Sequence, residues 1–228
     1  MIYGVLLRVA GKSYRAIAER VGRTHECVRK WCKNESLVAV IAYAVGMMCN
    51  STITFIDGTK FNEYVTVVST VSGAILCAFP TRGEPHAVEA IERIGINPLA
   101  IYGDRAYWSV KQSVELAKKG IILISIPKKN AKRFQGSFKG ILALMKKMKY
   151  SWKYVIMYHM RARIEYFIGR VKKYERELGS YMLAILKQNL IALKDKKRYK
   201  VLELAAALVG KYSGVKKLVE VAKKVLGE

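Results

Sequence analysis

Apolar residues recur along this chain with two different periods, and the period changes near residue 51. Before that point the spacing is helical. Ile17, Ala18 and Val21 share one face of a short helix that Ser13 can cap and Gly22 can end. Thr24 can cap a second helix with Cys27, Val28 and Trp31 on its apolar face. Residues 35–50 read as a connecting apolar helix. After it the pattern turns to strands: 52–57, 64–71 and 74–79 are β-rich runs at hairpin distances, with Ser72-Gly73 as a turn signal. Residues 85–94 read as a helix with Pro85 in its first turn and Val88, Ile91 and Ile94 inward. A short strand at 98–102 ends at Gly103-Asp104, and 109–119 is helical with Val110, Val114 and Ala117 inward. Residues 121–126 are apolar almost without interruption, as a strand covered on both faces requires.

Three strands, helix, strand, helix, strand is the order of a mixed sheet with helices on its faces, so the fold class is α/β. Residues 128–139 read as a loop, the chain from Tyr154 is helical, and 181–193 and 199–226 are further amphipathic helices. The expected division is 1–34, a helix, glycine turn and helix; 35–50, the connecting helix; 51–178, the α/β unit; and 179–228, a C-terminal helical region.

Charge changes the picture. The 228 residues hold 41 Lys and Arg against 17 Asp and Glu, a net charge of +24. Hydrophobic residues make up 52%, enough for a core, so the surplus is not that of a disordered basic tail. It points to a polyanionic partner, most often nucleic acid. A membrane is the weaker candidate, because the longest apolar stretch, 37–49, is shorter than the roughly 20 residues a spanning helix needs. Met1 to Arg8 has no basic stretch ahead of its apolar run and does not read as a signal peptide. Cys27, Cys32, Cys49 and Cys77 form no CxxC pair; Cys27 and Cys32 with His25 make half a zinc site with no second ligand pair nearby. A reduced intracellular protein is the simpler reading.

With a polyanion in view, the first two capped helices read as a helix-turn-helix, whose second helix presents His25, Glu26, Arg29 and Lys30 to a major groove. The bland alternative is an αα-hairpin with a solvated basic face.

In so basic a chain, acids at strand ends stand out. Asp57 closes one apolar strand ahead of Gly58, and Asp104 closes another after Gly103. Functional groups in α/β sheets gather at strand ends. Two carboxylates brought side by side repel unless a cation joins them, and hard oxygen ligands favour Mg²⁺ or Mn²⁺. Two such ions about 3.5–4 Å apart activate a hydroxyl on one side of a phosphate and stabilise the leaving oxygen on the other. Completing two coordination shells calls for a third acid, and Glu165 is the candidate. Between Lys128 and Arg176 it is one of two acids among 15 basic residues. Tyr158, Arg161, Glu165 and Lys172 follow at steps of three, four and seven, which keeps them near one helix face. A phenol, a guanidinium and an ammonium around one acid can grip phosphates while the acid holds metal. Trp108 can stack on an unpaired base, or serve as a core residue ahead of the next helix; His86 and His159 read as packing residues.

Tyr158-x2-Arg161-x3-Glu165-x6-Lys172 resembles the YREK signature of insertion-sequence DDE transposases at all four spacings. The contexts Ile56-Asp57-Gly58-Thr59 and Gly103-Asp104-Arg105-Ala106-Tyr107 are similar to those of the family's first two acids. The resemblance covers about residues 51–178. It implies an RNase H-like core of order β-β-β-α-β-α-β-α, with the first Asp on strand one, the second after strand four and the Glu on a late helix. It implies Asp57, Asp104 and Glu165 as catalytic metal ligands for two Mg²⁺ ions, with Mn²⁺ able to substitute. Tyr158, Arg161 and Lys172 are then DNA contacts, joined by Arg29, Lys30 and His25 of the end-binding module. The implied partners are double-stranded DNA, as terminal inverted repeats and target, and further copies of the chain in a dimer or larger assembly on DNA. The implied setting is the cytoplasm, at the nucleoid. The 60 residues between Asp104 and Glu165 leave no room for the large β insertion of some members. Two other readings use the same residues: an RNase H-like structure-specific nuclease, and a transposase-derived DNA-binding repressor without catalysis.

Overall fold

The computed structural model describes residues 1–49, 51–61, 63–81, 87–125 and 162–195. The chain opens with α1 (Ile2–Val9), an element without a capping signal: Met1 stands at its N-cap and makes no side-chain cap bond. Packing holds it instead, with Gly4 lying so close to Trp31 that a Cβ there would be 3.2 Å from the indole ring. The next two helices form as the sequence predicts. Ser13 caps α2 (Tyr14–Val21), accepting from the Ala16 N–H at 3.2 Å, and Gly22 ends it in left-handed backbone with φ 62°. Thr24 caps α3 (His25–Lys33) through the Cys27 N–H at 3.3 Å. Asn34 then caps α4 (Glu35–Met47) through the Leu37 N–H at 3.0 Å, so the connecting helix follows α3 without a linker.

The α/β unit has the expected order: β1 (Ile53–Lys60), β2 (Tyr64–Thr70), β3 (Ile75–Pro80), α5 (Ala87–Ile94), β4 (Ala100–Gly103), α6 (Val110–Lys118), β5 (Ile122–Ile124) and α7 (Ala162–Leu178). A last described helix, α8, spans 181–195. The five strands form one mixed sheet in the order β3-β2-β1-β4-β5. β1 is antiparallel to β2 and parallel to β4, and β4 is parallel to β5. The loop expected at 128–139 and the helix expected at 199–226 lie outside the described residues.

Alternation along the strands divides the core. Ile53 and Phe55 of β1, Val65 and Val67 of β2 and Tyr102 of β4 face Ile164, Ile168 and Val171 of α7. Ile56, Val68, Ile101 and Leu123 face the other way, against Ala87, Ala90 and Ile91 of α5 and Leu116 of α6. Covered on both faces, β4 is buried throughout, and β1 is buried from Ile53 to Ile56 with Thr54 among its apolar residues. The first apolar cluster continues through Val5, Ile17 and Val28, joining the N-terminal helices to the sheet.

The sheet has an edge at β3, and two side chains close it. The Tyr43 hydroxyl donates to the Ala78 carbonyl at 3.0 Å and accepts from the Ala78 N–H at 3.1 Å. Asn189 of α8 accepts from the Ile75 N–H at 2.6 Å and donates to the carbonyls of Ile75 at 2.9 Å and Ala42 at 2.7 Å. Side chains thus imitate a sixth strand and satisfy polar groups that a bare edge would expose.

Among the described residues no helix is long and apolar enough to cross a membrane. The four cysteines are free thiols. Because Asn189 satisfies three buried backbone groups, Asn189→Leu is expected to destabilise the fold by about 3 kcal/mol or more. Urea unfolding measures this, and a loss below about 1 kcal/mol would show that the edge does not depend on that amide.

Candidate active site

Two parallel strands bring the aspartates together. The β1–β4 pairing ends with Ile56 beside Gly103, so Asp57 and Asp104 are each the next residue along. Neighbouring strands lie about 4.8 Å apart, which puts the two carboxylates within reach of a shared ion. Asp57 pairs across β1–β2 with Val67, a residue of the face that α7 covers, and Asp104 continues the row of Ala100 and Tyr102 on that same face. Both aspartates are half-buried.

One expectation needs correction. Asp57 does not close its strand: β1 continues through Lys60, which pairs with Tyr64. Asp57 instead marks where the parallel pairing with β4 stops while the antiparallel hairpin with β2 goes on. Gly58 lies within β1, and its work is to make room. A Cβ on Gly58 would overlap the Tyr64 hydroxyl. Gly103 has the same relation to Tyr107, whose Cβ would lie 2.8 Å from an added methyl. Each aspartate therefore adjoins a glycine over which a tyrosine folds. The field of the pair is felt there: burial first, then the charges of Asp57 and Asp104, raise the Tyr64 hydroxyl above its ordinary pKa. Tyr107 is raised in the same way, burial leading.

Backbone N–H groups orient both carboxylates. Asp57 Oδ1 accepts from the Gly58 N–H at 2.9 Å. Asp104 Oδ1 accepts from the Ala106 N–H at 2.8 Å and so caps the short 3-10 turn Arg105–Tyr107. The Asp104 carbonyl accepts from the buried Ser125 hydroxyl at 2.8 Å, tying the end of β5 to the same point.

α7 crosses the sheet with its two flanks toward opposite ends. Phe167 fills the space beside Gly73, in the β2–β3 turn at the lower end. Lys172 lies 5.9 Å over the Phe61 ring, just past β1 at the upper end, and Phe61 stacks on Tyr181 at 5.5 Å. Glu165 is seven residues before Lys172 and shares its flank, so it faces the end of the sheet that carries the aspartates. It is exposed. Among the described residues no three His, Cys, Asp or Glu are gathered as a metal-holding group. The structure thus assembles the aspartate pair and leaves Glu165 on the facing flank of α7, outside it. Tyr158 and Arg161 lie outside the described residues.

The remaining candidates divide. His25, Arg29 and Lys30 are exposed on α3, with Glu26 3.3 Å from His25 and 3.4 Å from Arg29. Glu26, Arg29, Lys30, Lys33 and Asn34 line an open hollow of about 400 Å³. Trp108, only 4% exposed, belongs to the core and offers no stacking face. Tyr64 is the residue that sequence reasoning passed over: nothing in its local context ties a strand's first residue to an acid seven positions earlier, and only the hairpin register does.

Two unequal costs follow from the glycine–tyrosine packing. Gly103→Ala, pressed against a side-chain root, is expected to lose about 1–3 kcal/mol, whereas Gly58→Ala, which meets the far tip of a half-exposed ring, should lose under about 1 kcal/mol. Paired urea melts test the ranking, and equal losses would overturn it. No protein-family model, curated protein or solved structure that was compared matches this chain.

Proposed function

We propose that this chain is a transposase of the insertion-sequence DDE type, which cleaves DNA strands at element ends and joins the freed 3′-hydroxyl to target DNA. The observation that carries the reading is the placement of Asp57 and Asp104 side by side where the parallel β1–β4 pairing stops, on the sheet face crossed by the helix that bears Glu165 and Lys172. The element order supports it: three strands, helix, strand, helix, strand, then a late helix with the third acid, as an RNase H-like core requires. α2 and α3, with their left-handed glycine turn, support a helix-turn-helix that holds the terminal inverted repeats.

The donor set fits divalent metal. Asp57 and Asp104 are hard, half-exposed oxygen donors whose orientation is fixed by backbone N–H groups. They would hold Mg²⁺ or Mn²⁺ between them, with Glu165 closing from the facing flank of α7. Bound divalent ions supply the Lewis acidity that turns water, and then a 3′-hydroxyl, into a nucleophile toward phosphorus. The protein's own part is position. Lys172 sets a positive charge on the acid's flank for a phosphate, and the net charge of +24 draws the duplex in. Arg29, Lys30 and His25 present donors on α3 for the end sequence. Two element ends must meet, so two or more copies assemble on DNA.

The test is cleavage of labelled duplex carrying the flanking inverted repeat, with Mg²⁺, with Mn²⁺ and with chelator. Metal-dependent nicking at the repeat boundary is expected, with at least a hundredfold loss in Glu165→Gln and duplex binding within about threefold of the parent. Nicking of branched DNA alone, without strand joining, would favour the structure-specific nuclease. The transposase-derived repressor is the other rival. Tight, salt-sensitive binding without nicking is its signature.

A further inference from the structure

The outer face of α7 carries a stripe that neither the acids nor the YREK flank uses. Tyr166, Arg170 and Tyr174 stand at steps of four and so fall along one side of the helix, running from the exposed Tyr166 to Tyr174 at the margin of the core. They alternate ring, guanidinium, ring. The Arg170 guanidinium lies 5.7 Å from the centres of both the Tyr166 and the Tyr174 rings. It donates twice to the Tyr174 hydroxyl, from Nε at 3.2 Å and from its second nitrogen at 2.8 Å. Lys187 of α8 extends the row, its ammonium 4.3 Å above the Tyr174 ring. Arg170 and Tyr174 are partly buried and held in place, whereas Tyr166 is 62% exposed. Glu177 offsets part of the stripe's charge, bonded to Lys187 at 2.8 Å.

An exposed ring beside a fixed guanidinium is costly to leave in water and has a specific use. Flat rings stack on unpaired bases, while the cation beside them takes the phosphate that follows. Paired bases are already stacked and cannot use the ring. Tyr166 directly follows Glu165 and is turned about 100° from it around the helix, so the ring and the acid lie on adjoining faces.

We propose that the stripe Tyr166–Arg170–Tyr174 is a binding track for an unpaired DNA strand, the strand separated at a cut end. The proposal rests on the DNA-processing reading above and deepens it. The experiment uses the full chain and fluorescence anisotropy with an oligothymidylate of about 12 nucleotides and, separately, a duplex of similar length. Tyr166→Ala is expected to weaken single-strand binding by about ten- to a hundredfold and duplex binding by less than about twofold. Tyr166→Phe keeps the ring and should bind as the parent does. Because stacking is not ionic, the Tyr166→Ala deficit should persist as salt is raised, while the deficit of Arg170→Ala should shrink. An unchanged single-strand affinity in Tyr166→Ala, or equal losses on single strand and duplex, would overturn the track and leave the proposed function standing. A parent protein that binds neither probe would overturn both.

Discussion

Two negative charges held on neighbouring strands are the constraint around which the rest of this structure is arranged. The β1–β4 register leaves Asp57 and Asp104 side by side, where Coulomb repulsion opposes folding unless something offsets it. Several features do so in part. Each carboxylate accepts a backbone N–H. Each stays half-exposed, so water still screens it. The chain as a whole carries a net charge of +24, opposite in sign to the pair. No apolar gain comes from placing the acids there. Proteins keep such locally unfavourable arrangements chiefly at functional sites.

The glycine–tyrosine packing shows how the cost is localised. Gly58 and Gly103 give up side chains so that Tyr64 and Tyr107 can fold over the strand ends. Each ring thus occupies the space beside the glycine that adjoins an acid. The same rings keep protonated hydroxyls near the pair, because burial and the two carboxylates both oppose ionisation.

How much of this was legible in the chain depends on how far apart the interacting residues lie. Ser13, Gly22 and Thr24 act within four positions of themselves, and their capping roles can be read directly. Strand order follows from apolar runs, since β1, β4 and β5 are buried on both faces. Gly58 misleads, because a glycine after an acid is a turn signal locally and here answers to Tyr64 across the hairpin. α1 has no local signal and exists through its contact with Trp31. Asn189 is the extreme case. Its amide completes an edge 114 residues earlier in the chain, and no periodicity announces a partner at that distance.

α7 shows why the candidate site and the stripe cannot be independent. Ile164, Ile168 and Val171 bury one face of the helix against the sheet, and Phe167 locks its lower flank into the space left by Gly73. Those contacts leave no freedom of rotation, since a turn of about 100° would replace buried apolar side chains with Glu165 or Arg170. Fixing the apolar face therefore fixes the other two together: Glu165 and Lys172 on one flank, Tyr166 and Arg170 on another. A change that loosens the Phe167–Gly73 contact would tilt both at once. The acid flank and the aromatic stripe behave as one rigid unit, whose orientation is set by hydrophobic packing at the far end of the sheet and not by any charge it carries.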